Sequence, residues 1–258
     1  MSKARDGANT LLTIGTDLAA KAPLASPVFT GSVGVGVTPE TGWQSYQAIR
    51  LGGVASLWSS TAKTANGHTQ FGNNVYRDSS GNDKYIVTDE ASKYRQGAGG
   101  HHFSVAASGS ANAAISFNTA MTIDNAGRVT KPLQPSFRVG DSTQSTAGQI
   151  MTHNTIFHNV GNHYATATGK FTAPVAGVYF IGAQLISGFS STSSEQNIKV
   201  LKNGAFLCDA RALGYTSSSL HAKSIILLAA NDYIQIEMES GKSYADASHN
   251  QFMGYLIG

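Results

Sequence analysis

The sequence predicts an all-β chain that ends in an antiparallel sandwich, and three observations predict it. Charged residues make up only 13% of the 258 residues, well below the ~25% typical of globular chains, while Gly, Ser, Thr, Ala and Asn are abundant. Short apolar runs broken by turn signals fill residues 43 to 131, each too short to bury a core by itself. From Pro135 onward clear strand segments follow one another, and their connections alternate between tight and long.

The N-terminal segment is the exception. Leu11, Ile14 and Leu18 stand at three-four spacing, which predicts a short helix ended at Ala22-Pro23, because a residue before proline avoids the α region. So short a helix holds no coiled coil alone, so an arm that orders on assembly is expected. Two prolines and the alternation of Val33, Val35 and Val37 then predict an extended linker. Next, "RDSSGNDKYIV" and "TIDNAGRVT" read as hairpins in which Gly81 and Gly127 supply positive φ. "VTKPLQPSFRVG" carries two prolines and separates this stretch from the C-terminal unit, with the boundary near Leu133. Three regions result: 1–40, 41–132 and 133–258.

In the last region the tight connections are Ala176-Gly177, Asn203-Gly204 and Asn231-Asp232, and the long ones are "SGFSSTSSEQ", "GYTSSSLH" and "SGKSYADASHNQ". Successive turns of an antiparallel sheet lie at opposite ends, so the tight turns gather at one end and the long loops at the other. The tight end is expected to face the preceding region and the long loops to form a distal tip. "YIQIEME" is one-sided, with Ile234, Ile236 and Met238 inward, whereas "VYFIGAQLI", "SIILL" and "FMGYLIG" are apolar on both faces. At about 25 cal/mol per Å² of apolar surface, leaving such faces wet forgoes several kcal/mol, so another subunit is expected to cover one of them. Tyr179, Ile181, Leu185, Phe252 and Tyr255 are the expected subunit contacts.

Two resemblances add to this. "KAPLASPVFTG" resembles a segment that recurs in the tail fibre proteins of tailed bacteriophages, and residues 41–132 are similar to fibre shafts in which three chains intertwine their strands. That similarity implies Trp43, Trp58, Phe71, Phe103 and Phe117 pointing at a common axis. "FHNVGNHYATATGKFTAPVAGVYFIGAQL", "VLKNG" and the terminal "FMGYLIG" resemble the globular head of the complement first-component recognition subunit, a trimeric jelly roll shared with tumour necrosis factor. There is no Gly-x-y stalk, and calcium binding is not carried over. The resemblances imply a homotrimeric tail fibre, made in the host cytoplasm and located in the virion. Its arm, with Leu11, Ile14 and Leu18, would attach to a tail or baseplate protein. Its tip would adhere to a bacterial surface glycan or outer-membrane protein. A surface or spore-coat adhesin with the same head and a polysaccharide-cleaving tail spike are the alternatives.

Composition excludes other classes. Net charge is +3, with the 18 basic residues scattered, so no groove tracks nucleic-acid phosphates. No run of about 18 apolar residues is present, and the N-terminus lacks the apolar core of a secretory leader. Cys208 stands alone in a strand-like segment and reads as a small hydrophobe. Asp78, Asp83, Asp89 and Glu90 sit in turn-like segments, where carboxylates serve local hydrogen bonds, so no catalytic residue is assigned. His153, His158 and His163 repeat every five residues, which reverses the face along a strand, and no metal ligand set or cofactor is expected. Val33 to Val37 lacks the spacing of a dinucleotide cradle. The distal loops, rich in Ser, Tyr, Gly, Asn and His, have the composition of adaptable binding loops. Phe189, Ser191, Glu195, Tyr215, Ser217, Tyr244, Asp246 and His249 are the expected recognition residues.

Overall fold

The computed structural model describes residues 29, 31–43, 46–62, 65, 67–188, 194–214 and 218–258. The chain divides into two units, Met1–Lys131 and Pro132–Gly258, and all regular structure among the described residues is strand. Leu11, Ile14 and Leu18 lie outside the described residues.

The first unit holds β1 (Val33–Val35), β2 (Tyr46–Leu51), β3 (Ala55–Ser60), β4 (His68–Asn73), β5 (Val75–Arg77), β6 (Asp83–Tyr85), β7 (Asp89–Gly97), β8 (Gly100–Gly109), β9 (Asn118–Ile123) and β10 (Val129–Thr130). Eight of them form one sheet in the order β1-β2-β3-β4-β7-β8-β9-β10, paired within the chain. Among the described strands only β1 and β2 run parallel. The β5–β6 hairpin covers one side: the Ser56 hydroxyl donates to the Val75 carbonyl at 2.6 Å, and Tyr85 packs on Ala91 and Ala106. Its turn is local chemistry. Asp78 accepts bonds from the amides of Asn82 and Ser80, and the Asn82 bond leads in holding its carboxyl below the usual range, while Gly81 takes a φ of 81°.

Asn74 sets the corner where β4 ends and the hairpin begins. It adopts a φ of 56°, and its buried side chain accepts from the amides of Ile86 and Val87 while donating to the carbonyls of Val87 and Glu90. Trp43 and Trp58, expected on an axis shared by three chains, instead pack against each other under the hairpin, with ring centroids 5.6 Å apart. The reason lies in Gly72, on the strand beside Trp58. A Cβ there would come within 2.9 Å of the Trp58 ring and 2.3 Å of Val75, so glycine leaves the space that the indole fills. Phe117 packs on the same side beneath Lys93, 4.5 Å from its ring. Phe71 and Phe103 lie on the opposite face, in register with Tyr94 between them.

The second unit holds β11 (Ser136–Gly140), β12 (Gln149–Ile150), β13 (Thr155–Val160), β14 (Tyr164–Ala165), β15 (Lys170–Thr172), β16 (Gly177–Ile186), β17 (Ser194–Lys202), β18 (Ala205–Gly214), β19 (Ser219–Leu228), β20 (Tyr233–Ser240) and β21 (Gln251–Leu256). One sheet has the order β13-β11-β21-β16-β19 and the other β14-β15-β20-β17-β18, with β12 also on β20. The core lies between them. Phe137 stacks on Phe171 at 4.5 Å and meets Phe252 edge-on at 4.8 Å, and Ile198, Ile234, Ile236 and Met238 face them from the second sheet. As the alternation in "YIQIEME" predicts, Ile234, Ile236 and Met238 are buried.

Tight turns and chain entry share one end of this unit. Asn203 and Gly204 take φ of 52° and 79°. Asp232 accepts from Lys202, Asn203 and the Ala229 amide, and the Lys202 bond leads in lowering its carboxyl to about 2. The Leu256 amide donates to the Pro135 carbonyl and the Val178 amide to the Gly258 carbonyl at the same end.

The two-faced strand resolves against expectation. Tyr179, Ile181, Leu185 and Phe252, expected at a subunit contact, are buried inside their own sandwich. Phe252 and Tyr255 are three residues apart in one strand, so their side chains leave opposite faces and cannot share a contact. Register decides which points inward. Gly254 pairs with both Phe137 and Ile181, and a Cβ on it would lie 2.8 Å from each of their side chains, so the small residue faces the crowded interior. Tyr255 lies on the outer face, where its ring packs 5.4 Å from Phe180.

Candidate functional site

The loop end of the second unit is built on a buried polar floor. Asp141, at the end of β11, is 1% exposed and accepts from the Thr143 amide, the Thr143 hydroxyl and the Ser145 hydroxyl. Ser145 ties this loop to the last long loop, because its amide donates to the Ser243 hydroxyl at 2.8 Å and its carbonyl accepts from the Ser243 amide. Asn250 bridges further: its side chain accepts from the Ile186 amide and donates to the Tyr244 carbonyl. Gln196 donates to the Ser187 hydroxyl and to the Lys242 carbonyl. Buried polar groups joined this way hold several loop bases in one arrangement, since each broken bond leaves an unpaired group in a dry site.

On this floor stand Tyr244, Asp246 and His249. Tyr244 is half exposed, and its ring meets that of His249 edge-on at 6.1 Å. Asp246 lies 3.4 Å from His249 Nδ1 and accepts from the hydroxyl and amide of Ser248; that hydroxyl is the main reason its carboxyl lies below the usual range. The trio offers an aromatic face beside a hydrogen-bonding carboxylate and imidazole, which suits a polar ligand with an apolar face. Glu195, expected beside them, lies on β17 and faces Arg211 on β18 at 3.9 Å. Phe189, Ser191, Tyr215 and Ser217 lie outside the described residues. Sequence reasoning passed over Asp141, Ser145 and Asn250. The run "DSTQSTAG" after β11 is the signal that marks a further loop at this end.

The three regularly spaced histidines do not converge. His153 is buried against Phe252 at 5.6 Å, and burial lowers its imidazole to about 4, whereas His158 is exposed on β13. Cys208 is half-buried beside the core, and that burial raises its thiol.

A second surface lies on the outside of the five-stranded sheet. Phe180 pairs with Ile225 on one side and Tyr255 on the other, and Val178 pairs with Leu227. Ile225 and Leu227 are each 69% exposed, and Val178 and Tyr255 are exposed beside them. The next row on the same face carries Lys223 and Arg138 at its two ends.

Two facing antiparallel sheets with first and last strands paired define a jelly-roll head. Residues 136–257, within the second unit, match the family model of the C1q domain. A human relative, complement C1q and tumor necrosis factor-related protein 9B, is 30% identical over 108 residues, covering 40% of this chain. The match covers 31% of the relative, so the chain spans about a third of that protein's length. Among solved structures, the globular domain of zebrafish complement 1qA protein aligns with 48% of this chain and 98% of its own at 20% identity and a TM-score of 0.39. Murine APRIL aligns with 48% and 99% at 10% identity and a TM-score of 0.41. Eiger TNF from S. frugiperda aligns with 50% and 94% at 12% identity and a TM-score of 0.39.

Proposed function

We propose that this chain is a homotrimeric attachment protein, the receptor-binding tail fibre of a tailed bacteriophage, and that it acts by binding and not by catalysis. The observation that carries the trimer is the outer face of the five-stranded sheet. Val178, Phe180, Ile225, Leu227 and Tyr255 form an apolar patch bordered by Lys223 and Arg138 on a jelly-roll head, and three heads packed through it would remove the patch from water. The contact thus moves from Tyr179, Ile181, Leu185 and Phe252 to the opposite face of the same strands, and of the expected set keeps Tyr255.

Chain entry at the tight-turn end of the head supports a recognition role for the other end, where Tyr244, Asp246 and His249 stand. Three tips on one fibre bind a repeated glycan or outer-membrane protein with avidity, so each contact can be weak. The tail-fibre assignment rests on the segment at residues 21–31, outside the stretch that the C1q model matches. In the proposal, residues 1–40 attach to a tail or baseplate protein and the working location is the virion.

The test is adsorption of the purified full chain to a panel of bacterial strains. Tyr244→Ala combined with His249→Ala is expected to reduce adsorption to a binding strain at least about tenfold, since a central aromatic contact contributes about 1–3 kcal/mol per site and avidity multiplies it. Adsorption that the double variant leaves unchanged overturns the tip assignment, and adsorption to no strain overturns the phage assignment.

A further inference from the structure

The first unit has its amphipathicity inverted. On β2, β3 and β4 the side covered by the β5–β6 hairpin carries Arg50, Ser56 and Gln70, all fully or almost fully buried. Arg50 is paired with Glu40 and donates to the carbonyls of Gly53 and Ala55. The uncovered side of the same strands carries Ile49, Leu51, Leu57 and Phe71, between 36% and 50% exposed. Burying a guanidinium and an amide while leaving a row of large apolar side chains wet reverses the usual ordering of transfer free energies.

Register makes the uncovered residues a continuous band. Ile49 pairs with Leu57, Leu57 with Phe71, Phe71 with Tyr94, Tyr94 with Phe103 and Phe103 with Met121, across six neighbouring strands. The rings of Tyr94 and Phe103 stack at 4.8 Å. The flanking rows on this face, from Gln47 across to Ile123 and from Leu51 across to Asn118, contain no Lys, Arg, Asp or Glu. Of the charged side chains in these strands, Arg50, Lys93 and Arg95 stand on the other side, and Asp89 and Glu90 lie at the start of β7, beyond these rows.

We infer that this face is an interface between copies of the chain, formed by the first unit independently of the head. Two properties select a second copy as the occupant. A face without charge meets its own image with no repulsion, whereas an ordinary partner surface carries charges that would be desolvated against it without compensation. Its size also fits: with side chains of about 150–200 Å² each, the wet portions of Ile49, Leu51, Leu57, Phe71 and Val105 come to about 400 Å². That is half of the roughly 800 Å² per partner that a standard interface buries, before the half-buried Tyr94, Phe103 and Met121 and the polar rows are included. The number of copies rests on the trimeric head proposed above; the face does not.

The test uses the full chain with Cys208→Ser, so that Phe71→Cys places a single thiol on the face, and Thr69→Cys serves as a second position there. The same thiols are also placed in a chain carrying Ile225→Asp on the head. Maleimide labelling of the folded protein is expected to be at least about tenfold slower than in denaturant, with and without Ile225→Asp, and light scattering to give a multiple of the chain mass in both. Adding Leu57→Asp and Phe71→Asp to the Ile225→Asp chain is expected to yield a folded monomer by mass and circular dichroism. Rapid labelling at both positions in the folded chain overturns the inference. So does slow labelling in a monomer, which would mean that another part of the same chain covers the face. If the head proposal alone is wrong, Leu57→Asp with Phe71→Asp suffices to give the monomer. If the inference alone is wrong, Ile225→Asp suffices.

Discussion

Ile225 offers the sharpest test of the head, because its environment differs most between a lone subunit and an assembled one. At 69% exposed within one chain, Ile225→Ala in a monomer is a surface change and shifts stability by no more than about 0.5 kcal/mol. If sister heads bury it, the substitution loses about two-thirds of the ~1.5–3 kcal/mol that full burial of isoleucine provides, or about 1–2 kcal/mol per copy. Three copies give about 3–6 kcal/mol per trimer, a shift of roughly 10² to 10⁴ in the head's association constant. For a unit of this size the same loss lowers the melting temperature by about 4–8 °C. The assay is hydrogen exchange of Gly177–Ile186 and Ser219–Leu228 in the full chain, followed with scanning calorimetry. Ile225→Ala is expected to deprotect both strands and lower the head transition, and Ile225→Asp to do so more strongly, because it places an unpaired carboxylate in a dry contact. Unchanged exchange and melting in both variants would refute the covered face, since no buried contact tolerates an added charge at its centre.

Three further outcomes follow from the interior. Asn74→Ala removes four hydrogen bonds and leaves alanine at a φ of 56°, so denaturant unfolding of the first unit should show a loss of about 3 kcal/mol with the head transition unmoved. Gly254→Ala forces a methyl within 2.8 Å of Phe137 and Ile181, and calorimetry should register about 1–3 kcal/mol of destabilisation confined to the head. His153 has its imidazole lowered by burial to about 4 from an ordinary 6.5, so the unfolded chain binds the extra proton between those values. Head stability contributed by this group is therefore full above about pH 6.5 and falls by about 3 kcal/mol as the pH drops toward 4. Melting curves across that window should flatten in His153→Leu, and an identical slope in the variant would remove His153 as the cause.

Local chemistry was legible in the chain itself. The positive φ of Gly81, Gly127, Asn203 and Gly204 follows from residues that tolerate it, and the alternation of tight and long connections follows from where those residues stand. Strand segments such as "YIQIEME" declare their inner face because only one face is apolar. Tyr244, Asp246 and His249 come together because they lie within one loop, so their proximity was readable from the chain. Its floor was not, because Asp141, Ser145 and Asn250 are polar residues whose burial depends on loops more than 90 residues apart in sequence meeting at Ser145 and Ser243.

Where both faces of a strand are apolar, periodicity has no preference, and only packing across strands can choose. Gly254 opposite Ile181 and Phe137 makes that choice in the head, turning Tyr179 and Leu185 inward and Val178 and Phe180 outward. In the first unit the period is plain but its sign is not. Alternation in "AIRL" marks Ile49 and Leu51 as one face and Ala48 and Arg50 as the other, and a hydrophobic rule buries the first pair. The tertiary structure buries the second, because Glu40 and the carbonyls of Gly53 and Ala55 satisfy Arg50 while Val75 of the β5–β6 hairpin packs with Ala48, and Ile49 and Leu51 are left on the exposed face. An all-β chain with a jelly-roll head could be read from residue patterns alone; which surfaces remain sticky was decided by glycines and hairpins far away in the chain.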